Sequence, residues 1–301
     1  MVGARTMKKI KIGDACINVF LFIILFTFCV TCLYPFINQI AISFNEGMDT
    51  ARGGITVFPR KFTMENYSSL FADSSYLTAG AVTVSRTILT TLLHVTVVFA
   101  AAYALTRKGL FGKKVITTIF ALTMYLQAGL IPIYILYRYL GLINNFWVYV
   151  LPYGFSFYNM IIVRSFIQEI PESLEESALI DGANEVAILF KVIFPLSLPV
   201  LATIALWTVV AQWNDWTASL YYITNKKLYT LQYVLMRVIK QGEQLRKDAH
   251  LQGQTVDTAV KTTSESLKAA MLVATSLPII AVYPFLQKYF VKGVTLGAVK
   301  G

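Results

Sequence analysis

Long apolar stretches alternate with shorter polar ones along this chain. Six runs contain no Asp, Glu, Lys or Arg: 15–45, 87–106, 115–137, 139–163, 192–214 and 269–287, each of 19 residues or more. At about 1.5 Å per residue, a helix of that length covers the roughly 30 Å hydrocarbon core of a bilayer. The pattern predicts an all-α polytopic membrane protein with six transmembrane helices, over about 16–43, 78–106, 115–137, 143–164, 195–214 and 269–288. Between the fifth and sixth runs, Leu228, Leu231, Leu235 and Val238 recur at near-heptad spacing and predict a short amphipathic helix. That helix either rests against the membrane or the bundle, or offers a docking surface to an extracellular partner.

Composition agrees: 56% of residues are hydrophobic and only 14% are charged, which argues against a soluble domain. The net charge of +10 would suggest nucleic acid in a soluble protein, but the basic residues flank the spans. Arg5, Lys8, Lys9 and Lys11 precede the first, Arg107, Lys108, Lys113 and Lys114 separate the second and third, and Lys288, Lys292 and Lys300 follow the sixth. Six spans place these segments on one side, which the positive-inside tendency makes cytoplasmic. Both termini are then expected inside, with residues 1–15 as a cytoplasmic segment, 165–194 as a cytoplasmic loop, 215–268 as an external loop and 291–301 as a cytoplasmic tail. The first run is too long for a signal-peptide core and no clear small-x-small cleavage site follows it, so it is read as retained. Cys16, Cys29 and Cys32 cluster in or beside that run, which allows neither a disulfide framework nor a four-ligand zinc site.

The fourth and fifth runs are joined by RSFIQEIPESLEESALIDGANEVAILFKVIFP, from Arg164 to Pro195, which parses as helix, turn, helix. Pro171 suits a first helical turn, the acids that follow complement the helix dipole, and Gly182 supplies a left-handed stop. Asn184 is placed to cap the next helix. Val186, Leu189, Phe190 and Ile193 then form an apolar stripe that ends as Pro195 approaches. Glu169, Glu172, Glu175, Glu176, Asp181 and Glu185 outnumber Arg164 and Lys191. Because Glu172 and Glu176 stand four apart, their repulsion weakens an isolated helix by a few tenths of a kcal/mol, and a basic neighbour is expected to offset it. Such a surface is either a solvated amphipathic loop or a seat for a cytoplasmic protein with a basic groove.

This segment resembles the EAA loop of ABC importer permeases. Glu176-Ser177-Ala178, three residues, Gly182, nine residues and Val192-Ile193-Phe194-Pro195 reproduce its spacing, with Ser177, Val192 and Phe194 as the departures. Similarity to the carbohydrate-uptake branch extends to Gly129-Leu130-Ile131-Pro132 with Leu140-Gly141-Leu142, to Trp213-Asn214-Asp215-Trp216, and to the ending from Tyr283-Pro284 through Gly301. The chain looks most like permeases for oligosaccharides and polysaccharide fragments.

The resemblance implies that Glu172, Glu175, Glu176, Ser177, Ala178, Asp181, Gly182, Ala183 and Pro195 couple the chain to an ATPase, through a cytoplasmic coupling helix in a cleft of that subunit. It further implies a second homologous permease forming a heterodimer, two ATPase subunits that hold ATP and Mg, an extracellular solute-binding protein, and a place in the bacterial cytoplasmic membrane. In maltose-type relatives the equivalent of Lys292 through Gly301 runs along the ATPase dimer.

No G-x-x-x-x-G-K-[ST] occurs, and no H-E-x-x-H or G-x-S-x-G; only two histidines are present, so catalytic and metal sites in this chain are not expected. The charge-free runs also lack carboxylates, which counts against an ion-gradient-driven carrier, the main alternative of another class. An importer of a non-sugar solute is the alternative within the same class. Candidates for a translocation path are Arg86, His94, Tyr125, Gln127, Gln212, Trp213 and Asn214. Arg86, Thr90 and His94 share one face of the second span, where Arg86 either lines a path or snorkels outward, and His94 either lines a path or bonds a neighbouring helix. Gln212, Trp213, Asn214 and Trp216 suit a sugar contact, an outer gate or the interfacial aromatic belt.

Overall fold

The computed structural model describes residues 12–107, 109–126, 128–251 and 265–282. The N-terminal residues 1–11, Lys108, Gln127, residues 252–264 of the predicted external loop, and 283–301 with the C-terminal motifs and tail lie outside the described residues. Among the described residues the regular secondary structure is helical, joined by turns and irregular segments, with one isolated bridge between Asn45 and Phe62. We number the helices α1 (Ile12–Ser43), α2 (Gly47–Thr50), α3 (Glu65–Ala72), α4 (Ser74–Thr106), α5 (Lys113–Tyr125), α6 (Leu130–Tyr139), α7 (Phe157–Gln168), α8 (Glu172–Ile180), α9 (Glu185–Ile188), α10 (Phe194–Asn214), α11 (Thr217–Tyr222), α12 (Leu231–Leu251) and α13 (Glu265–Val282).

Four helical stretches among the described residues are long and apolar enough to cross a membrane: Ile17–Ser43, Ser74–Thr106, Glu185–Asn214 and Glu265–Val282. A further pair, Phe146–Tyr153 and Phe157–Gln168, is apolar enough only when taken together and is bent by 45° at the break between them, the geometry of a broken span or a re-entrant loop. The 115–137 run departs from the single span expected of it, because it is divided into α5 and α6. Gly129 adopts φ 80°, a backbone state open to glycine without a Cβ penalty. Pro132 follows in the first turn of α6, where its missing N–H would break any helix entering from the preceding residues. Six continuous spans are therefore not what the described residues contain.

Two compact units are distinguished: Met1–Leu70 with Gln244–Val273, and Phe71–Glu243 with Ala274–Gly301. In the first, the side chains of residues 17–37 are exposed all round the helix, while Ala41 near its end is buried, as suits lipid or protein neighbours in the membrane along most of its length. The loop after α1 is ordered around buried Asn45, whose Nδ2 donates to Asp49 Oδ2 at 3.1 Å and Thr50 Oγ1 at 3.0 Å, while its Oδ1 accepts from the Lys61 N–H at 2.8 Å. Arg60 Nε closes the loop onto Asp49 at 3.0 Å.

The second unit is built around α4, which packs against α7 and α10. Val98, Phe99 and Ala102 of α4, Met160 and Val163 of α7 and Leu201 and Ile204 of α10 form its apolar centre. The helix predicted from Leu228 onward is present as α12, with Leu231 and Leu235 buried; Leu228 itself sits in a preceding 3-10 turn, Lys226–Leu228. Buried Tyr149 ties this region together, donating to the Leu228 carbonyl at 2.7 Å and lying 2.7 Å from Ser219 Oγ.

Candidate functional site

The acidic segment forms α8, a turn, and α9 running on into α10. Pro171 stands at the N-cap of α8 rather than inside its first turn. The end of α8 is a Schellman motif: the Ala183 N–H donates to the Ala178 carbonyl at 2.9 Å and the Gly182 N–H to the Leu179 carbonyl at 3.0 Å. Gly182 holds φ 81°, so the left-handed stop read from sequence is present. Asn184 caps α9 as predicted, its Oδ1 accepting from the Ala187 N–H at 2.8 Å.

The apolar stripe is a correction. Val186 and Phe190 are 62% and 60% exposed, whereas Ile188 and Ile193 are buried. The cause is a π-turn over Leu189–Ile193, which adds one residue to the turn and advances the buried face. It also lies where Pro195 needs relief, since proline supplies no N–H and crowds the carbonyl four residues back. The helix therefore continues through Pro195 to Asn214 instead of stopping there.

A basic neighbour of the acidic helix is Arg107, just past the end of α4, and the glutamate it pairs with is Glu175, which stands outside the expected repulsion of Glu172 and Glu176. Its guanidinium makes a two-pronged pair with Glu175, at 2.6 and 2.9 Å, and stacks 4.1 Å over the Tyr103 ring. A planar fork on a carboxylate is the strong form of such a pair. Tyr103 in turn places its hydroxyl 3.4 Å from Glu185. The result joins α8 and α9 to the end of α4. A groove of about 640 Å³ lies there, lined among others by Arg107, Lys113, Glu172, Glu175, Glu176 and Glu185. Glu176, Ser177, Asp181 and Gly182 are exposed, Ala178 and Ala183 half-buried, and Ile180 is 86% exposed. Glu176 makes no ion pair among the described residues.

The path candidates separate into two groups. Arg86, His94, Gln212 and Trp213 are buried, Tyr125 is 83% exposed, Asn214 is exposed, and Gln127 lies outside the described residues. Arg86 has no exposed surface and does not snorkel. Its Nη2 donates to Gln212 Oε1 and Asp215 Oδ2, both at 2.7 Å, and Nη1 to the Asp215 carbonyl at 3.1 Å. The guanidinium also sits 4.5 Å over the Tyr149 ring. A cation at the C-terminal end of α10 also meets the negative pole of that helix. Burial opposes ionisation of Asp215, but the Arg86 charge and the Thr217 hydrogen bonds outweigh it and hold the carboxyl below the usual carboxylate range.

Arg86 belongs to a polar ladder on the inner face of α4, with Thr83, Thr90 and His94 at helical spacing. Thr90 Oγ1 donates to the Tyr149 carbonyl at 3.1 Å. That carbonyl would normally serve residue 152 or 153, but Pro152 has no N–H and Tyr153 bonds Val150, so the threonine fills the gap. His94 Nδ1 lies 2.8 Å from the Tyr153 carbonyl and Nε2 2.8 Å from Asn159 Nδ2. A carbonyl only accepts, so Nδ1 carries the proton and Nε2 accepts from the amide. His94 is therefore an interhelical bridge, one of its two sequence readings. Trp213 likewise donates Nε1–H to the Thr275 carbonyl at 3.0 Å and is buried rather than part of an exposed aromatic belt. Arg107, Tyr149, Asn159 and Asp215 were absent from the sequence-derived site; only the proximity of Asp215 to Trp213-Asn214 hinted at one of them.

The sequence profile described as "Binding-protein-dependent transport system inner membrane component" matches residues 96–296. Among similar proteins, "Protein LplC" of Bacillus subtilis (strain 168) is 35% identical over 269 residues, covering 89% of this chain and 90% of that protein. "Polygalacturonan/rhamnogalacturonan transport system permease protein YtcP" of the same organism is 32% identical over 277 residues, covering 92% and 96%. A chain in the crystal structure of a bacterial ABC transporter involved in the import of the acidic polysaccharide alginate superposes with a TM-score of 0.83 at 28% identity, covering 93% of this chain and 98% of that one.

Proposed function

Since the chain belongs to the family of binding-protein-dependent transport system inner membrane components, multi-pass and non-enzymatic transport subunits of ABC transporters, we propose that it is the permease of an ATP-driven importer for a carbohydrate, an oligosaccharide or polysaccharide fragment. The substrate class follows the relatives named for polygalacturonan, rhamnogalacturonan and alginate transport. The coupling reading is carried by α8: a short acidic helix, exposed on its outer side, ended by a left-handed glycine and fastened to α4 through Arg107 and Glu175.

In this reading the described core pairs with a second, similar permease, and two ATPase subunits carrying ATP and Mg seat on Glu172 to Gly182 of each half. A solute-binding protein delivers the ligand outside, and both termini lie in the cytoplasm. Closure of the ATPases displaces α8, and the pair at Arg107 together with the continuous helix from α9 into α10 hands that displacement to two spans at once. Exposed Tyr125 and Asn214 are the candidates left to line a path between subunits. Buried Arg86, His94, Gln212 and Trp213 shape it from behind.

The test is a tagged purification from native membranes in mild detergent, with the accompanying chains identified by mass spectrometry. A Walker-motif ATPase, a second permease and a secreted binding protein are expected, and the binding protein then serves to screen sugars. Recovery of the chain alone or only with itself would favour a gradient-driven carrier instead.

A further inference from the structure

A second groove, of about 570 Å³, opens between α5 and α7 and is lined by Lys113, Lys114, Thr117, Thr118, Ala121, Leu122, Tyr125 and Arg164. On α5 its lining follows two adjacent rows of four-residue steps, 113–117–121 and 114–118–122, with Tyr125 at the far end. Such rows run along one side of a helix, and the cations stand about 12 Å from Ala121 and Leu122. The groove is therefore cationic at one end and apolar towards the other, and among the described residues no carboxylate lines it.

The cations there are under-used. Arg164 Nε is shut off from solvent without a hydrogen-bond partner, and neither Arg164 nor Lys114 makes an ion pair among the described residues. Among the described residues Lys113 reaches the Thr106 carbonyl, at 3.5 Å. Thr117 and Thr118 donate to the Lys113 and Lys114 carbonyls at 2.8 and 2.9 Å, which uses both hydroxyls within α5 and leaves the positive charge of the groove unmatched among its lining residues. A buried guanidinium nitrogen without an acceptor is costly, so the site lacks an anionic acceptor attached to an apolar tail.

We propose that this groove binds the headgroup phosphate of an anionic phospholipid, with an acyl chain lying along Ala121 and Leu122. Basic pockets between spans at the end of the hydrocarbon layer take such headgroups, and Lys113 also lines the groove beside α8, so the site is placed where lipid charge can bear on the acidic segment. The proposal rests on the chain spanning the membrane and is independent of the sugar assignment.

To test it, the protein is purified with its accompanying subunits, delipidated in detergent, and titrated with phosphatidylglycerol, with phosphatidylcholine of the same chains, and with inorganic phosphate, following the unfolding midpoint. Phosphatidylglycerol alone is expected to raise the midpoint. Lys114→Gln, at an exposed side chain, should weaken the apparent affinity roughly fivefold, from about 1 kcal/mol per cation near a membrane surface, and Lys114→Arg should restore it. Equal stabilisation by phosphatidylcholine, stabilisation by phosphate alone, or an unchanged response in Lys114→Gln would each overturn the site.

Discussion

Replacement of Gly182 by proline is expected to reduce uptake at least about tenfold while leaving the protein in the membrane at near-normal amount. Proline fixes φ near −65°, whereas this position holds φ 81°, and it removes the N–H that closes α8 onto Leu179. The reversal between α8 and α9 cannot then form, and the seat for the ATPase is displaced from the spans. No neighbouring atom lies within 4 Å of a Cβ added here, so smaller substitutions act through backbone strain alone. Gly182→Ala carries about 1 kcal/mol or somewhat more, and Gly182→Asn less, because asparagine enters the left-handed region more readily. Uptake should therefore fall in the order Gly, Asn, Ala, Pro, measured as initial rate per inserted protein. Normal transport by the proline variant would remove α8 from the mechanism.

The largest stability loss is expected from Arg86→Ala. The substitution leaves Asp215, whose side chain is only 18% exposed, without the guanidinium that matches its charge, and it strips Gln212 of a donor. Breaking a buried pair from one side costs about 3–5 kcal/mol, most of it the penalty on the abandoned partner. Arg86→Ala/Asp215→Ala should recover a large share of that loss, since no uncompensated charge remains, and Arg86→Lys should fall between because an ammonium cannot reproduce the fork. Unfolding midpoints in detergent, compared as a double-mutant cycle, give the coupling between the two positions. Equal destabilisation by the single and double alanine variants would mean that volume rather than charge holds this region.

Much of this was readable from the chain because the governing physics is local. Charge-free length fixed four of the crossings, the four-residue steps of Arg86, Thr90 and His94 put them on one face, and Gly182 and Asn184 announced the turn around α9. What was not readable depended on partners distant in sequence or on backbone irregularity. Arg86 meets Asp215 across 129 positions and Arg107 meets Glu175 across 68, and no spacing rule connects either pair. A helical periodicity drawn through 186–193 assumes a uniform turn, and the π-turn at Leu189 broke that assumption. Hydropathy likewise counts 115–137 as one span because it does not register the positive φ at Gly129.

The most direct examination of the coupling proposal is site-specific photo-cross-linking in native membranes. A benzophenone side chain placed at Ile180, 86% exposed on α8, should capture a Walker-motif ATPase as the principal product, and the same probe at Lys227, in the 3-10 turn before α12, should not. An Ile180 adduct devoid of ATPase, or equal capture from Lys227, would contradict the assignment of α8 as the seat of the motor.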